Sequence, residues 1–291
     1  MAYVGNKTTH MVQPRMINAP QPGAGAIQTR RPRPQWGTVN NATFDGGASY
    51  SSLQSKLEVR NLAGGTMLVA YTYGKCLTDG TYANQVREDN STINYYGPCN
   101  YDLTHNFVTS YLYALPFGRG RTFGTHMNRL EDSLVGGWNL SGIATLQSGL
   151  PYTVSISGDQ ANTGAAGQRP NVVGKPKVIR SPNCWFYDSA NPSCAAFGGT
   201  NAYITPAQYT YGNGGINSLR ADGLVQFDVT LLKQFPITDR SRFELRGSFF
   251  NVFNHTTFAA PNSSIASSST GTVSATLNGA RQVELAGKIY F

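Results

Sequence analysis

Arg281-Gln282-Val283-Glu284-Leu285-Ala286-Gly287-Lys288-Ile289-Tyr290-Phe291 closes the chain. Read backwards in steps of two, Phe291, Ile289, Gly287, Leu285 and Val283 form an apolar set. Tyr290, Lys288, Ala286, Glu284 and Gln282 form a largely polar one. Successive side chains on a strand point to opposite faces, so the stretch predicts a strand with one greasy face and one wet face.

The same alternation recurs upstream. A first full strand is expected over Tyr50–Arg60, with Leu53, Leu57 and Val59 opposed to Gln54, Lys56, Glu58 and Arg60. Asn61 to Gly65 reads as a tight turn into a return strand over Thr66–Lys75. Further strands are expected over Leu103–Leu115, stopped by Pro116-Phe117-Gly118, and over Gly137–Ser157. The last three are Leu224–Phe235, Ser241–Asn254 and the terminal stretch, while residues 1–5 read as the end of another strand. The connections between them run long, short, long, medium, long, short, long. Counted back from a periplasmic terminus, loops 6–48, 76–102, 158–221 and 255–278 fall on one side. Turns 61–65, 116–136 and 236–240 fall on the other.

Outer-membrane barrels sort their connections in this way, with long loops outside and short periplasmic turns. The expected fold is therefore all-β: an antiparallel transmembrane β-barrel segment of about eight strands. Aromatics near the strand ends (Tyr71, Tyr73, Tyr113, Trp138, Tyr152, Phe235, Phe243, Phe253, Tyr290) suit interfacial girdles. Two alternatives fit the alternation less completely: a self-closing eight-stranded membrane protein with a structural or adhesive role, and a secreted soluble β-sandwich that binds a ligand.

Composition agrees with the membrane reading. Charged residues are 13% of the 291 and hydrophobic ones 40%, with 32 Gly, 16 Tyr and 14 Phe. No apolar run approaches the roughly 18 residues of a membrane helix. The net charge is +8, but no basic stripe with interleaved aromatics points to nucleic acid. Arg30, Arg31 and Arg33, among prolines, read as a solvated loop. Met1 to Lys7 opens no apolar signal region, so a barrel reading expects Met1 not to be the true start.

The closing strand, ending on aromatic Phe291, resembles the terminal signal of outer-membrane barrels, which the barrel-assembly machinery reads through edge pairing. Val283, Leu285, Gly287, Ile289 and Phe291 are its candidate residues. The wider chain resembles the carboxy-terminal part of an Oar-like TonB-dependent outer-membrane receptor, the type with a carboxypeptidase-regulatory-like domain. The residues that carry the likeness are Ala2 to Lys7, Ser51 to Glu58, Leu115-Pro116-Phe117-Gly118-Arg119-Gly120, Gly136-Gly137-Trp138-Asn139-Leu140-Ser141-Gly142, Gln147-Ser148-Gly149-Leu150-Pro151-Tyr152, Phe227-Asp228-Val229 and Phe249 to His255.

The resemblance implies the bacterial outer membrane, with lipid around the wall and a large, unnamed solute taken up or exported. It also implies TonB acting through an amino-terminal plug. No TonB box or plug is present in residues 1–291, and about eight strands are visible where such transporters have about 22. The chain is accordingly expected to be the last part of a larger barrel.

Four cysteines, at 76, 99, 184 and 194, lack CxxC spacing and a neighbouring histidine. If the loops are extracellular, Cys76–Cys99 and Cys184–Cys194 are the natural pairs, although sequence leaves the other pairings open. The 158–221 loop, with Trp185 and Phe186, is the candidate ligand-capturing segment. No G-x-S-x-G, HExxH, P-loop or G-x-G-x-x-G motif occurs. The expectation is a protein without catalytic, metal or cofactor residues. His105 and His255 read as structural, and Arg242, Glu244, Arg246, Asp228, Lys288 and Glu284 as an inward-facing ionic lattice.

Overall fold

The computed structural model describes residues 1–62, 64–79, 87–88, 95–238 and 240–291. Ala63 of the first expected turn, Asp239 of the third, and residues 80–86 and 89–94 of the 76–102 loop lie outside the described residues.

Eight strands form an antiparallel meander in which each pairs with the next: β1 (Ala2–Met16), β2 (Asn40–Leu62), β3 (Gly65–Thr78), β4 (His105–Ala114), β5 (Trp138–Gln147), β6 (Val225–Pro236), β7 (Arg242–Phe250) and β8 (Gln282–Tyr290). Register carries the sequence alternation across the whole sheet. One row runs Val59, Met67, Tyr111, Gly142, Val229, Phe249, Val283. Its neighbour, one residue along, runs Arg60, Thr66, Leu112, Ser141, Thr230, Ser248, Glu284. A slip of one residue in any pairing would mix the rows, so the apolar face fixes the register.

Close packing within the apolar face uses glycine. A Cβ on Gly142 would lie 2.6 Å from the Tyr111 hydroxyl, and one on Gly287 3.1 Å from the Phe243 ring. Strands β4, β5, β7 and β8 have nine or ten residues, the length a tilted strand needs to cross a bilayer.

Four expectations change. The first outer loop is shorter than 6–48, because β1 runs on to Met16 and β2 begins at Asn40. The hairpin continues past register shifts between Thr8, Met11 and Gln13. The buried Gln13 lies against the bare Cα of Gly46, where a Cβ would stand 2.6 Å from its amide nitrogen, and donates to the Asp79 carbonyl at 3.0 Å. Second, Gly137–Ser157 is not one strand. It breaks after Gln147, where Gly149 passes so close to the backbone of residue 221 that a Cβ would lie 1.9 Å from the Ala221 oxygen. Leu150, Tyr152, Val154 and Ile156 therefore leave the membrane face, and Tyr152 leaves the girdle. Third, β7 stops at Phe250 because Asn251 and Asn254 take left-handed conformations (φ 50° and 51°). Phe253 still meets the Phe227 ring edge-on at 5.1 Å.

The fourth change is helical structure. A single turn, α1 (Ile27–Arg30), lies in the first outer connection, and α2 (Arg129–Val135) lies in the middle inner one. Asn128 and Glu131 form a capping box: Glu131 N–H donates to Asn128 Oδ1 and Asn128 N–H to Glu131 Oε2, both at 2.9 Å.

Among the described residues β1 and β8 do not pair, so the sheet is open. Among the described residues the free edge of β1 meets only the two-residue strand Arg87–Glu88, at Arg15 and Met16. The main apolar core lies not against the sheet but in the outer connections.

Candidate functional site: the outer loop layer over a polar wall

At the outer strand ends, connections 17–39, 148–224 and 251–281 meet residues 95–104 of the second connection in one packed layer. Small antiparallel pairs frame it: Pro151–Tyr152 with Leu219–Arg220, Asn171–Val172 with Tyr203–Ile204, and Val178–Ser181 with Cys184–Phe186. Tyr152, Val154, Ile156, Trp185, Phe186, Tyr203, Leu219 and Ile265 fill its interior. Phe186 meets Tyr203 edge-on at 6.1 Å, and Trp185 meets Phe258 edge-on at 6.4 Å. Trp185 and Phe186 are each 1% exposed. These two aromatics of the candidate ligand-capturing loop point into the layer and support the 158–221 connection from within.

Polar groups bind the connections to one another. The buried Asp102 carboxylate accepts the Cys76 N–H at 2.6 Å and pairs with the Arg220 guanidinium. Arg220 also donates to the Asp102 and Gly149 carbonyls at 2.9 and 3.0 Å, and its own carbonyl accepts the Trp185 indole N–H at 3.0 Å. Asn191 Nδ2 donates to the Thr270 carbonyl at 2.7 Å, joining the third and fourth connections. Asn162 does the same for the first and third, donating to the Gly23 and Gly25 carbonyls at 2.8 and 2.9 Å.

Arg31, expected in a solvated loop, is buried, donating to the Asn18 carbonyl at 2.7 Å and to Gln28 and Thr38. The first connection folds back on itself, so the Asn18 carbonyl, Gln28 Oε1 and Thr38 Oγ1 converge on one donor with several arms. Burial pushes the Tyr152 and Tyr203 phenols above their ordinary range and the Arg169 guanidinium below its own, with Arg169 lying 5.0 Å over the Tyr95 ring.

Cys76–Cys99 and Cys184–Cys194 are disulfides in the structure, with Cα separations of 5.4 and 5.3 Å. The first ties β3 to the second outer connection, and the second closes the Trp185–Phe186 hairpin onto the 3₁₀ turn Pro192–Phe197. His105 caps the wall below: its ring bonds the Tyr71 hydroxyl at 2.8 Å. His255 serves through its backbone N–H, held by Asn251 Oδ1 at 2.9 Å.

Below the layer lies the polar face. Glu58 pairs with Arg60 at 2.6 Å and Lys56 at 3.6 Å, beside a groove of about 540 Å3 that also meets Ser110 and Leu112. On the far strands Glu244 pairs with Arg246 at 3.1 Å and accepts from Gln234 at 3.3 Å. Asp228 accepts from Gln226 and from the Asn251 N–H. Arg242 and Lys288 instead lie over the Tyr290 ring, at 4.3 and 4.5 Å, so the expected lattice divides into a carboxylate cluster and a cation–aromatic one. Glu284 stands in the polar row beside Ser248.

In the terminal strand Val283, Leu285, Gly287 and Ile289 share the apolar face, and Phe291 lies just beyond its end, fully exposed. Among the described residues no group of three or more His, Cys, Asp or Glu side chains could hold a metal ion. The layer and wall present a surface of mixed charge. Sequence reasoning missed the Asp102–Arg220 link, since residues 118 positions apart carry no periodic signal.

The chain matches the family model described as an outer membrane beta barrel domain over residues 1–284. No curated protein and no solved structure matches it. An eight-stranded antiparallel meander with one continuous apolar face, long outer connections and a family match over nearly its whole length belongs to the outer-membrane β-barrel domain family, and its place is the bacterial outer membrane.

Proposed function

We propose that this chain forms the wall and outer loop layer at the carboxy-terminal end of an Oar-like TonB-dependent receptor that moves a large solute across the outer membrane. The observation that carries the reading is the open sheet. Edge N–H and C=O groups on β1 and β8 cannot be left unpaired in lipid, where each costs several kcal/mol. Further strands joining both edges would satisfy them. The Oar-like sequence series from Ala2 to His255 supports the same reading.

In this reading the external loops capture the solute through their outward surface, with Trp185 and Phe186 shaping the 158–221 connection from within. TonB would act on a plug encoded ahead of these strands. The terminal strand, through Val283, Leu285, Gly287, Ile289 and Phe291, would hand the barrel to the assembly machinery.

Reading the genomic frame upstream of the Met1 codon tests the proposal. The expected result is an open frame encoding more alternating strands and a plug, whose full product binds the periplasmic domain of TonB. A stop codon with a ribosome-binding site directly before Met1 would overturn it. The same result would require β1 and β8 to close on each other as an eight-stranded barrel.

A further inference from the structure

The inner side of the molecule carries an apolar surface that the barrel wall does not explain. In connection 115–137 the helix α2 leaves Leu130 and Leu134 79% and 71% exposed, one turn apart on the same face. Val135, Phe117 and Phe123 of the same connection are exposed as well, and the two rings pack at 5.7 Å. The exposed Arg119, Arg121 and Arg129 share the connection. Glu131 and Asp132 are occupied locally: Glu131 closes the capping box, and Asp132 accepts the Arg119 N–H at 2.7 Å.

Where α2 sits relative to the wall follows from two side chains. Lys233 and Trp138 stand opposite each other on β6 and β5, in the same face as Leu231 and Leu140. That is the lipid-facing side, an unfavourable place for a lysine. Lys233 is nonetheless only 2% exposed, because its ammonium donates to the Leu134 carbonyl at 3.1 Å and to the Gly136 carbonyl. The Trp138 and Phe235 rings flank the ammonium at 5.3 and 5.0 Å. The Trp138 indole N–H donates to the same Leu134 carbonyl at 3.0 Å. The end of a helix carries unpaired carbonyls and a partial negative charge, which a lysine ammonium neutralises. α2 is thus clamped by its carboxy-terminal end to the lipid-facing surface, at the periplasmic end of the strands.

We infer that α2 and its flanking phenylalanines are an interfacial anchor that inserts Leu130, Leu134 and Phe123 into the periplasmic leaflet of the outer membrane, among phospholipid headgroups and upper acyl chains. Two observations commit the surface to lipid. Its carboxy-terminal end is bonded to the lipid-facing wall through Trp138 and Lys233, which sets the exposed leucines beside that wall. Its arginines match phosphate headgroups. The inference rests on the outer-membrane family membership and not on the transport reading.

The full gene product carrying these strands, shown by heat-modifiable mobility to be assembled in phosphatidylethanolamine–phosphatidylglycerol vesicles, provides the test. An environment-sensitive fluorophore on Leu134→Cys should be quenched at least about threefold more by lipid carrying a shallow nitroxide than the same probe on Glu131→Cys, with Leu245→Cys quenched as a wall position. Equal and water-like signals at positions 134 and 131 would overturn the inference. So would protection of position 134 in cells combined with no lipid quenching in vesicles, since a protein partner would then cover the surface. The unaltered protein gives an independent readout. A photoactivatable phosphatidylethanolamine should label peptides within 123–135, and labelling confined to the strands would overturn the inference.

Discussion

Leu285 and Trp185 are both large apolar side chains, yet the first is 76% exposed and the second 1%. The wall strands turn their greasy residues outward and keep Glu244, Thr230 and Ser248 on the opposite face. The outer layer turns Trp185, Phe186 and Val154 inward and ties its surface with polar bonds. The two regions are inside-out relative to each other because they meet different solvents: hydrocarbon around the wall, water around the loops. It follows that the same substitution type should have opposite consequences in the two places, and that each region should lose order separately.

The largest effect is expected from Trp185→Ala. Removing a fully buried indole from the loop core costs about 3–5 kcal/mol. Hydrogen exchange should accelerate across 148–224 and 251–281 while β6–β8 keep their protection. Equal loss in the strands would mean that layer and wall are one cooperative unit, and the comparison would break. Next comes charge on the wall. Leu231→Arg, near the middle of β6, should cost about 2–4 kcal/mol and lower the heat-modifiable, assembled fraction in lipid. Thr230→Arg, one residue away on the polar face, should assemble nearly as well as the wild type. Equal yields for the two would remove the basis for calling that face lipid-facing.

The wall was legible in the sequence because period two is a local signal: Val225, Phe227, Val229 and Leu231 identify a face without reference to any partner. Loop sorting then gave the orientation, and the two disulfides were the pairs expected of extracellular loops. The failures lie where a contact is made at long range or a local signal went unused. Tyr152, Val154 and Ile156 continue the alternation of β5 but belong to the loop core, and the bare Cα of Gly149 against residue 221 marks where the strand ends. Arg31 looked solvated because its acceptors come from the fold of the whole connection. Lys233 broke the apolar pattern of β6 for a reason that sits about 100 residues earlier, at the end of α2. That helix did have a signature, the Asn128-Arg129-Leu130-Glu131 capping box, which a search limited to strands passes over.

A smaller change sharpens the account of the loop layer. Replacing Cys184 and Cys194 together by serine removes the closure of a short loop and should lower the stability of that hairpin by about 2–3 kcal/mol. Limited proteolysis should then cut near Pro192–Phe197, with the wall left intact. Because Trp185 and Phe186 remain buried, the effect should stay below that of Trp185→Ala. An equal or larger loss would make the disulfide, not the aromatic core, the main support of the layer.

The smallest predicted effect separates the inner connection from both other regions. Asn128→Ala removes the acceptor for the Glu131 N–H and should cost α2 about 1 kcal/mol, or roughly a fivefold rise in amide exchange over 129–135 at 25 °C. Unlike the loop layer, α2 buries no apolar side chain against protein, so its order depends on the cap, on the Lys233 and Trp138 bonds to its last carbonyls, and on whatever medium covers Leu130 and Leu134. If that medium is the periplasmic leaflet, insertion of the two leucines adds stability that a weakened cap cannot remove. Amide exchange over 129–135 should then be slower in phospholipid vesicles than in a short-chain detergent, in Asn128→Ala as in the wild type, while β6–β8 show no such dependence. Exchange rates identical in both media would assign the helix wholly to its cap and its lysine clamp, and would leave the exposed leucines without an energetic role.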